Sequence, residues 1–311
     1  MKKQLTAIAL TAAMVGSLTA CGGSKPAETT AAASEAATEA AESTEAAESS
    51  AEETKAAAEI ETVTSGKLTV ATSPDFAPYE FYAIGEDGTP KLAGFDMDLA
   101  QYIADYLGLE LEVVTVDFDG VISELQTKSV DLGMAGLSPD EKRMGIMDFS
   151  DLYYMGGQSL VTVKDNAEKY NSFEAINKPD VSVGAQVGSI QMDLANENSP
   201  EADIVGLPKV TDIISELLTG KMDAAYIETD VAKSYQKNYP ELTLVMDVPY
   251  DAEGSAIGVC KGNEALLAGV NEAIAAAKED GSLEKFIADA GELAAGEKYE
   301  GLLDAEGNVQ N

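Results

Sequence analysis

Val113-Val-Thr-Val-Asp-Phe-Asp-Gly-Val-Ile-Ser-Glu-Leu-Gln-Thr-Lys-Ser-Val-Asp-Leu-Gly-Met-Ala135 changes its apolar period twice. Val113 to Val116 is a β-branched run that reads as a strand. Gly120 to Lys128 sets Val121, Ile122 and Leu125 on one face, the spacing of a helix. Val130 to Ala135 reads as a strand again. Outward from this unit the alternation continues. Leu68 to Ala71 predicts a strand and Asp96 to Leu107 a helix. Downstream, Leu160–Val163, Val181–Gly184, Ala224–Ile227, Leu242–Val245 and Ala256–Val259 read as strands. Asp212–Thr219 and Glu264–Asp280 read as helices, the second ended by Gly281. Strands that alternate with helices predict an α/β fold with largely parallel sheets. No internal repeat stands out.

Composition narrows the function. The chain has 311 residues, and 55 acidic against 20 basic side chains give a formal net charge of −35. Such a chain is repelled by phosphate backbones, so no nucleic-acid partner is expected. Histidine is absent, which removes His-containing catalytic triads and His-ligated metal sites. Neither a cofactor nor a metal is expected. Cys21 and Cys260 have unrelated surroundings, so no structural disulfide is expected; Cys260 reads as a buried free thiol.

Residues 1–20 read as a targeting segment: Lys2 and Lys3, an apolar run from Leu5 to Leu18, then Leu18-Thr-Ala-Cys21. The run is too short to span a membrane. Leu-Thr-Ala-Cys resembles the bacterial lipoprotein signal, which implies cleavage before Cys21 and lipid on its sulfur. The expected location is extracytoplasmic, held to the cell membrane through that lipid alone. Residues 21–64 are mostly Ala, Glu, Ser and Thr, without an aromatic side chain. They cannot bury enough apolar surface to offset chain entropy and read as a tether.

Several ordered stretches resemble the amino-acid-binding proteins of ABC importers, the family of the glutamine, histidine and lysine/arginine/ornithine receptors. They are Ala71-Thr-Ser-Pro-Asp-Phe-Ala-Pro-Tyr-Glu-Phe81, Gly94-Phe-Asp-Met-Asp-Leu99, Asp117-Phe-Asp-Gly-Val-Ile122, Asp131 through Arg143, Val183-Gly-Ala-Gln-Val-Gly-Ser189, Gly220-Lys-Met-Asp-Ala224 and Gly258-Val-Cys-Lys-Gly262. The resemblance implies a two-lobed periplasmic-binding-protein-like fold of type II with two hinge crossings. Lobe 1 would combine 65–153 with 252–290, lobe 2 would be 158–248, and 291–311 would form an acidic tail. It also implies a polar L-amino acid as ligand, a monomeric receptor, and permease and ATPase subunits on separate chains.

A free amino acid is a zwitterion and calls for a cation and an anion. The family spacing gives Arg143 the carboxylate, whose two oxygens match a planar guanidinium. Gly136 lets the backbone come close, and Ser138 offers a hydroxyl where relatives often have threonine. Glu228, after the strand Ala224–Ile227, takes the ammonium, or else caps the next helix. Phe76 and Phe118 match aromatics that sandwich the ligand side chain, or are core residues. Gln186 and Ser189 precede a helix-like stretch whose first N–H groups attract a carboxylate, though Ser189 also reads as a plain N-cap. Ser73 stands where several relatives carry a side-chain-reading aspartate, while Asp75 and Asp140 lie near enough to restore a charge. The competing function is a secreted dehydratase-like enzyme on the same fold, with Glu228 as general acid. A sensory domain is not expected, because no apolar run of spanning length follows the globular part.

Overall fold

The computed structural model describes residues 60–84, 88–251 and 254–296. Residues 1–20, Cys21 with its expected lipid, most of the expected tether and the expected tail beyond 296 lie outside them. Lobe 1 begins with β1 (Lys67–Thr72), β2 (Asp75–Phe76), β3 (Glu80–Ile84), β4 (Pro90–Ala93), α1 (Phe95–Leu107), β5 (Glu110–Thr115), α2 (Phe118–Gln126), β6 (Leu132–Gly133), α3 (Glu141–Met144) and β7 (Met147–Phe149). Lobe 2 follows with β8 (Gln158–Val163), α4 (Phe173–Ile176), β9 (Ser182–Gln186), α5 (Ile190–Asn198), β10 (Asp203–Leu207), α6 (Val210–Leu218), β11 (Ala224–Glu228), α7 (Thr229–Asn238) and β12 (Leu242–Asp247). The chain then returns to lobe 1 as β13 (Gly258–Cys260), α8 (Glu264–Glu279) and α9 (Ser282–Gly296).

Each lobe is built on one five-stranded sheet, ordered β5-β1-β6-β13-β7 in lobe 1 and β10-β9-β11-β8-β12 in lobe 2. β1 runs parallel to β5 and β6, with Val70 opposite Val113 and Leu132. β13 is antiparallel to both of its neighbours, as β8 is in lobe 2. These are the strands that enter each sheet across the hinge, so no helical crossover fixes their direction.

Two layers of apolar side chains sandwich each sheet. In lobe 1, Leu99 and Ile103 of α1 meet Val270 and Ile274 of α8, while Val121 and Leu125 of α2 cover the opposite face beside Val130 and Met147. In lobe 2, Leu194 and Ala195 of α5 pack on Val183, Ala185 and Tyr226, and Ile213, Leu217 and Val231 cover the other side. The expected strand at Val130–Ala135 pairs only at Leu132–Gly133, because the chain leaves the sheet there to form the cleft loop. A small antiparallel sheet, β2-β3-β4, was not signalled by periodicity because its strands are short. Helix α9 runs through Gly296, beyond the expected start of the tail at 291, and buries Ala290 and Ala294.

The two crossings between lobes lie side by side. Tyr154 and Ser255 form an antiparallel bridge, Ser255 N donating to Tyr154 O at 2.8 Å and Tyr153 N to Ser255 O at 2.9 Å. Tyr250 Oη donates to Gly156 O at 2.9 Å. Paired, adjacent crossings leave hinge rotation as the natural relative motion of the lobes.

Candidate functional site

The cleft residues sit where strands end. From β6 the lobe 1 chain turns through Gly136, whose φ of 57° is left-handed. A Cβ there would lie 2.8 Å from Phe76 Cε1, so only glycine lets the loop rest against that ring. Gly136 N donates to Asp96 Oδ2 at 3.2 Å, which ties the loop to α1. Four residues on, Asp140 caps α3 by accepting from Arg143 N at 2.9 Å.

Arg143 is buried, 5% exposed. Its Nε lies 3.1 Å from Asp140 Oδ2, Nη1 donates to Ser138 O at 2.9 Å, and Nη2 reaches across the cleft to Gly188 O at 3.1 Å. The guanidinium carbon stands 5.5 Å from the Phe118 ring centroid, within cation–π range. Burial lowers the Arg143 pKa and Asp140 opposes the shift, but a guanidinium stays charged at neutral pH. Of its five N–H groups three are engaged, which leaves one on each terminal nitrogen.

On lobe 2, Glu228 ends β11 and is 4% exposed. It accepts from Val231 N at 2.7 Å, capping α7, and from Gly157 N at 3.2 Å. The capping and cleft readings therefore describe one side chain. Burial pushes its carboxyl up to about 7, against the backbone N–H groups of Val231, Gly157 and Asp230. A carboxylate offers about four acceptor sites, so these backbone donors still leave it capacity for a further one. Gln186 ends β9 and donates to Asp75 Oδ2 at 3.1 Å and Pro208 O at 3.0 Å. Ser189 caps α5, accepting from Met192 N at 3.2 Å and donating to Gln186 O at 2.7 Å.

Between these walls lies a tight cavity of about 20 Å³. It gathers Phe76, Phe118, Gly136, Ser138, Arg143, Gln186 and Glu228. Two expected site residues are elsewhere. Ser189 is spent on its helix cap, and the neighbouring Ile190 and Gln191 line the cavity instead. Ser73 faces an adjoining interlobe chamber of about 600 Å³, where its hydroxyl donates to Asp75 Oδ1 at 2.8 Å. Asp75, Asp117, Asp119 and Lys209 share that chamber. Sequence reasoning missed Tyr79, Gly156, Gln158, Tyr250, Gly254 and Ser255, which also line the cavity. Most belong to the hinge crossings, whose backbone has no periodic signal. Cys260 is buried and free. No group of residues suited to a metal ion occurs among the described residues. No described helix is long and apolar enough to cross a membrane.

The pattern of the bacterial extracellular solute-binding proteins, family 3, matches residues 68–289. The chain is 34% identical over 224 residues to the arginine-binding extracellular protein ArtP of Bacillus subtilis, which covers 71% of this chain and 84% of that protein. It is 29% identical over 181 residues to the cyclohexadienyl dehydratase of Pseudomonas aeruginosa, 58% of this chain and 66% of that one. Among solved structures, the amino acid ABC transporter substrate-binding protein AbpA of Streptococcus pneumoniae, bound to L-arginine, superposes with a TM-score of 0.71 at 34% identity, over 75% of this chain and 97% of that chain.

Proposed function

The chain belongs to the bacterial extracellular solute-binding proteins, family 3, and from that premise we propose that it captures a free polar amino acid outside the cytoplasm and hands it to an ABC-type permease. One observation carries the reading. A buried Arg143 with two unused N–H groups and a buried Glu228 with unused acceptor capacity line the same interlobe cavity. Arg143 takes the ligand carboxylate and Glu228 its ammonium. Ser138 and the Gly136 loop approach the same pole as Arg143, and Phe76 with Phe118 flank the side chain. The walls as they stand enclose only about 20 Å³, so entry requires the lobes to part about the hinge and reclose. Two charge-assisted anchors at about 1.5–3 kcal/mol per bond, with stacking and water exclusion, support an affinity near the micromolar value of about −8 kcal/mol.

The ligand side chain is directed past the two phenylalanines toward the chamber with Asp117 and Asp119, since the oxygens of Asp75 are already taken by Ser73, Gln186 and Val210. Together with the arginine named for ArtP and AbpA, this makes L-arginine the first amino acid to test. A thermal-shift screen over the twenty amino acids, cystine and ornithine tests the reading, because a tight ligand raises the midpoint by mass action. A screen in which no amino acid moves the midpoint overturns it. The burial-raised carboxyl of Glu228 suits a general acid, as in the dehydratase reading. Binding is nevertheless the function, since the dehydratase match is weaker and covers less of the chain. Incubation with prephenate or arogenate should yield no product.

The anchor is part of the same proposal: lipid on Cys21 holds the receptor to the membrane through the 21–64 tether, with the two lobes free to meet separate permease subunits. Attached acyl chains contribute roughly 0.8 kcal/mol per buried CH₂, so more than one is needed for stable anchoring. In a bacterial host, Cys21→Ala should release the protein from the membrane fraction and abolish palmitate labelling.

A further inference from the structure

Tyr79 was not singled out by the sequence, yet it lines the cavity. The side chain is fully buried, held by Phe95 with ring centroids 4.4 Å apart, by Phe76 at 5.2 Å and by Tyr154 at 5.4 Å. A phenylalanine would make every one of these ring contacts. The hydroxyl needs another explanation, because Tyr79 Oη makes no well-formed hydrogen bond among the described residues and has only the Ser255 side chain close enough to interact with it. An unpaired buried hydroxyl costs free energy unless something at times satisfies it.

Geometry says what that partner is. A Cβ added to Gly136, at the Arg143 end, would lie 3.4 Å from Tyr79 Cδ1. One added to Gly156 would lie 3.0 Å from Tyr79 Oη and 2.5 Å from Glu228 Oε1. The phenol oxygen and the carboxylate oxygen therefore flank the same glycine, and all three residues line the cavity. That end of the cavity is the one assigned to the ligand's ammonium, which carries three donors. The unused capacity of Glu228 alone leaves the ammonium short of acceptors, and a phenol oxygen is an acceptor.

We propose that Tyr79 Oη accepts a hydrogen bond from the α-ammonium of the bound amino acid beside Glu228, and so helps select molecules that carry an α-amino group. The inference rests on the binding reading above. Its test is Tyr79→Phe, assayed calorimetrically with L-arginine and with 5-guanidinopentanoate, which keeps the carboxylate and guanidinium but lacks the amino group. If the screen selects another amino acid, that amino acid and its deamino analogue replace the pair. The variant should weaken the amino acid by about tenfold, the value of one hydrogen bond to a charged group, and leave the deamino analogue unchanged. The ligand-free midpoint should hold or rise, because the substitution removes a buried hydroxyl that lacks a well-formed hydrogen bond. Equal weakening of both probes assigns Tyr79 to packing and overturns the inference, as does no weakening of either. A wild-type protein that binds no amino acid overturns the binding reading instead, before Tyr79 is altered.

Discussion

Both lobes order their strands alike: the second strand at the edge, then the first and third, then the antiparallel strand that enters across the hinge, then the last. Both present the ends of their first and third strands to the cleft. They differ in what those ends do. In lobe 1 the third strand runs into a loop that turns through Gly136 and reaches Arg143 on the four-residue helix α3. In lobe 2 the first and third strands run directly into α5 and α7, and Ser189 and Glu228 cap those helices. The cationic anchor is thus carried by a loop that supports little else, and the anionic anchor is also a structural cap. Binding and stability should separate in lobe 1 and travel together in lobe 2.

Arg143→Ala is the sharpest test of that separation and has the largest expected effect. Losing two charge-assisted bonds at about 1.5–3 kcal/mol each weakens ligand by more than about a hundredfold. The ligand-free melting midpoint should shift by only a few degrees, since Asp140 is partly solvated once its partner is gone. An equally large loss of midpoint would place Arg143 in the scaffold. Glu228→Ala should fail in both respects: binding falls by tenfold or more, and the lost cap costs roughly 1 kcal/mol of stability. Glu228→Gln splits the two roles. Its amide oxygen can still accept from Val231 N while the buried charge is gone, so the midpoint should hold or rise even as affinity falls.

The pH dependence of the two anchors sharpens the contrast, because only Glu228 titrates near neutrality. Its carboxyl is raised from 4.5 to about 7, chiefly by burial. A raised carboxyl contributes stability that is fully present below the unfolded value and is lost as pH rises through the folded one. The ligand-free midpoint should therefore climb as pH falls from about 7 toward 4.5. Asp75 and Asp96, both pushed up to about 6 by burial, act in the same direction. Affinity should move the other way, since the ammonium binds the carboxylate and must displace the proton held below about 7. That loss approaches tenfold per pH unit. Calorimetry in buffers of different ionisation enthalpy would register the released proton. In Glu228→Gln the release should vanish, whereas a proton release that survives would locate the titrating group elsewhere.

How far this contrast was readable in the sequence depends on whether its parts are local. Helix and strand periods report burial along a single element, so the sandwich of Leu99, Ile103, Val121 and Leu125 against the sheet was legible. The family spacing drew Arg143, Ser138, Phe118 and Glu228 to one cavity because each follows a strand end at a fixed distance. Ser73 and Ser189 follow strand ends too, but their hydroxyls are taken up by Asp75 and by the turn of α5. Only the tertiary arrangement decides between those partners and a ligand. The wall made by Gly156, Tyr250, Gly254 and Ser255 was illegible for a deeper reason. It exists because two crossings far apart in sequence pair at Tyr154 and Ser255. The matching order of the two sheets was hidden for the same reason: sequence registers similar side chains, and the lobes share only a path.

The smallest effect concerns the contacts that hold the lobes to each other rather than to ligand. Helix α6 has no side-chain cap from its own segment. Its first N–H, on Val210, is instead taken by the Asp75 carboxylate of lobe 1, which also accepts from Gln186 Nε2. Tyr235 Oη of lobe 2 donates to Asp75 O at 3.0 Å. Opening must expose the helix end that Asp75 covers, so this buried residue stabilises the closed arrangement. Lys142 and Asp193 also meet across the cleft, at 2.9 Å, but both side chains are largely solvated and salt screens them. Asp75→Ala should therefore speed ligand release by about three- to tenfold, in keeping with one cap of roughly 1 kcal/mol, and leave the association rate nearly unchanged. Lys142→Ala should alter release by less than about twofold and only at low salt. Release measured by competition in stopped flow separates the two contacts. An Asp75→Ala protein that released ligand at the wild-type rate would show that the interlobe cap is offset by solvation in the open form.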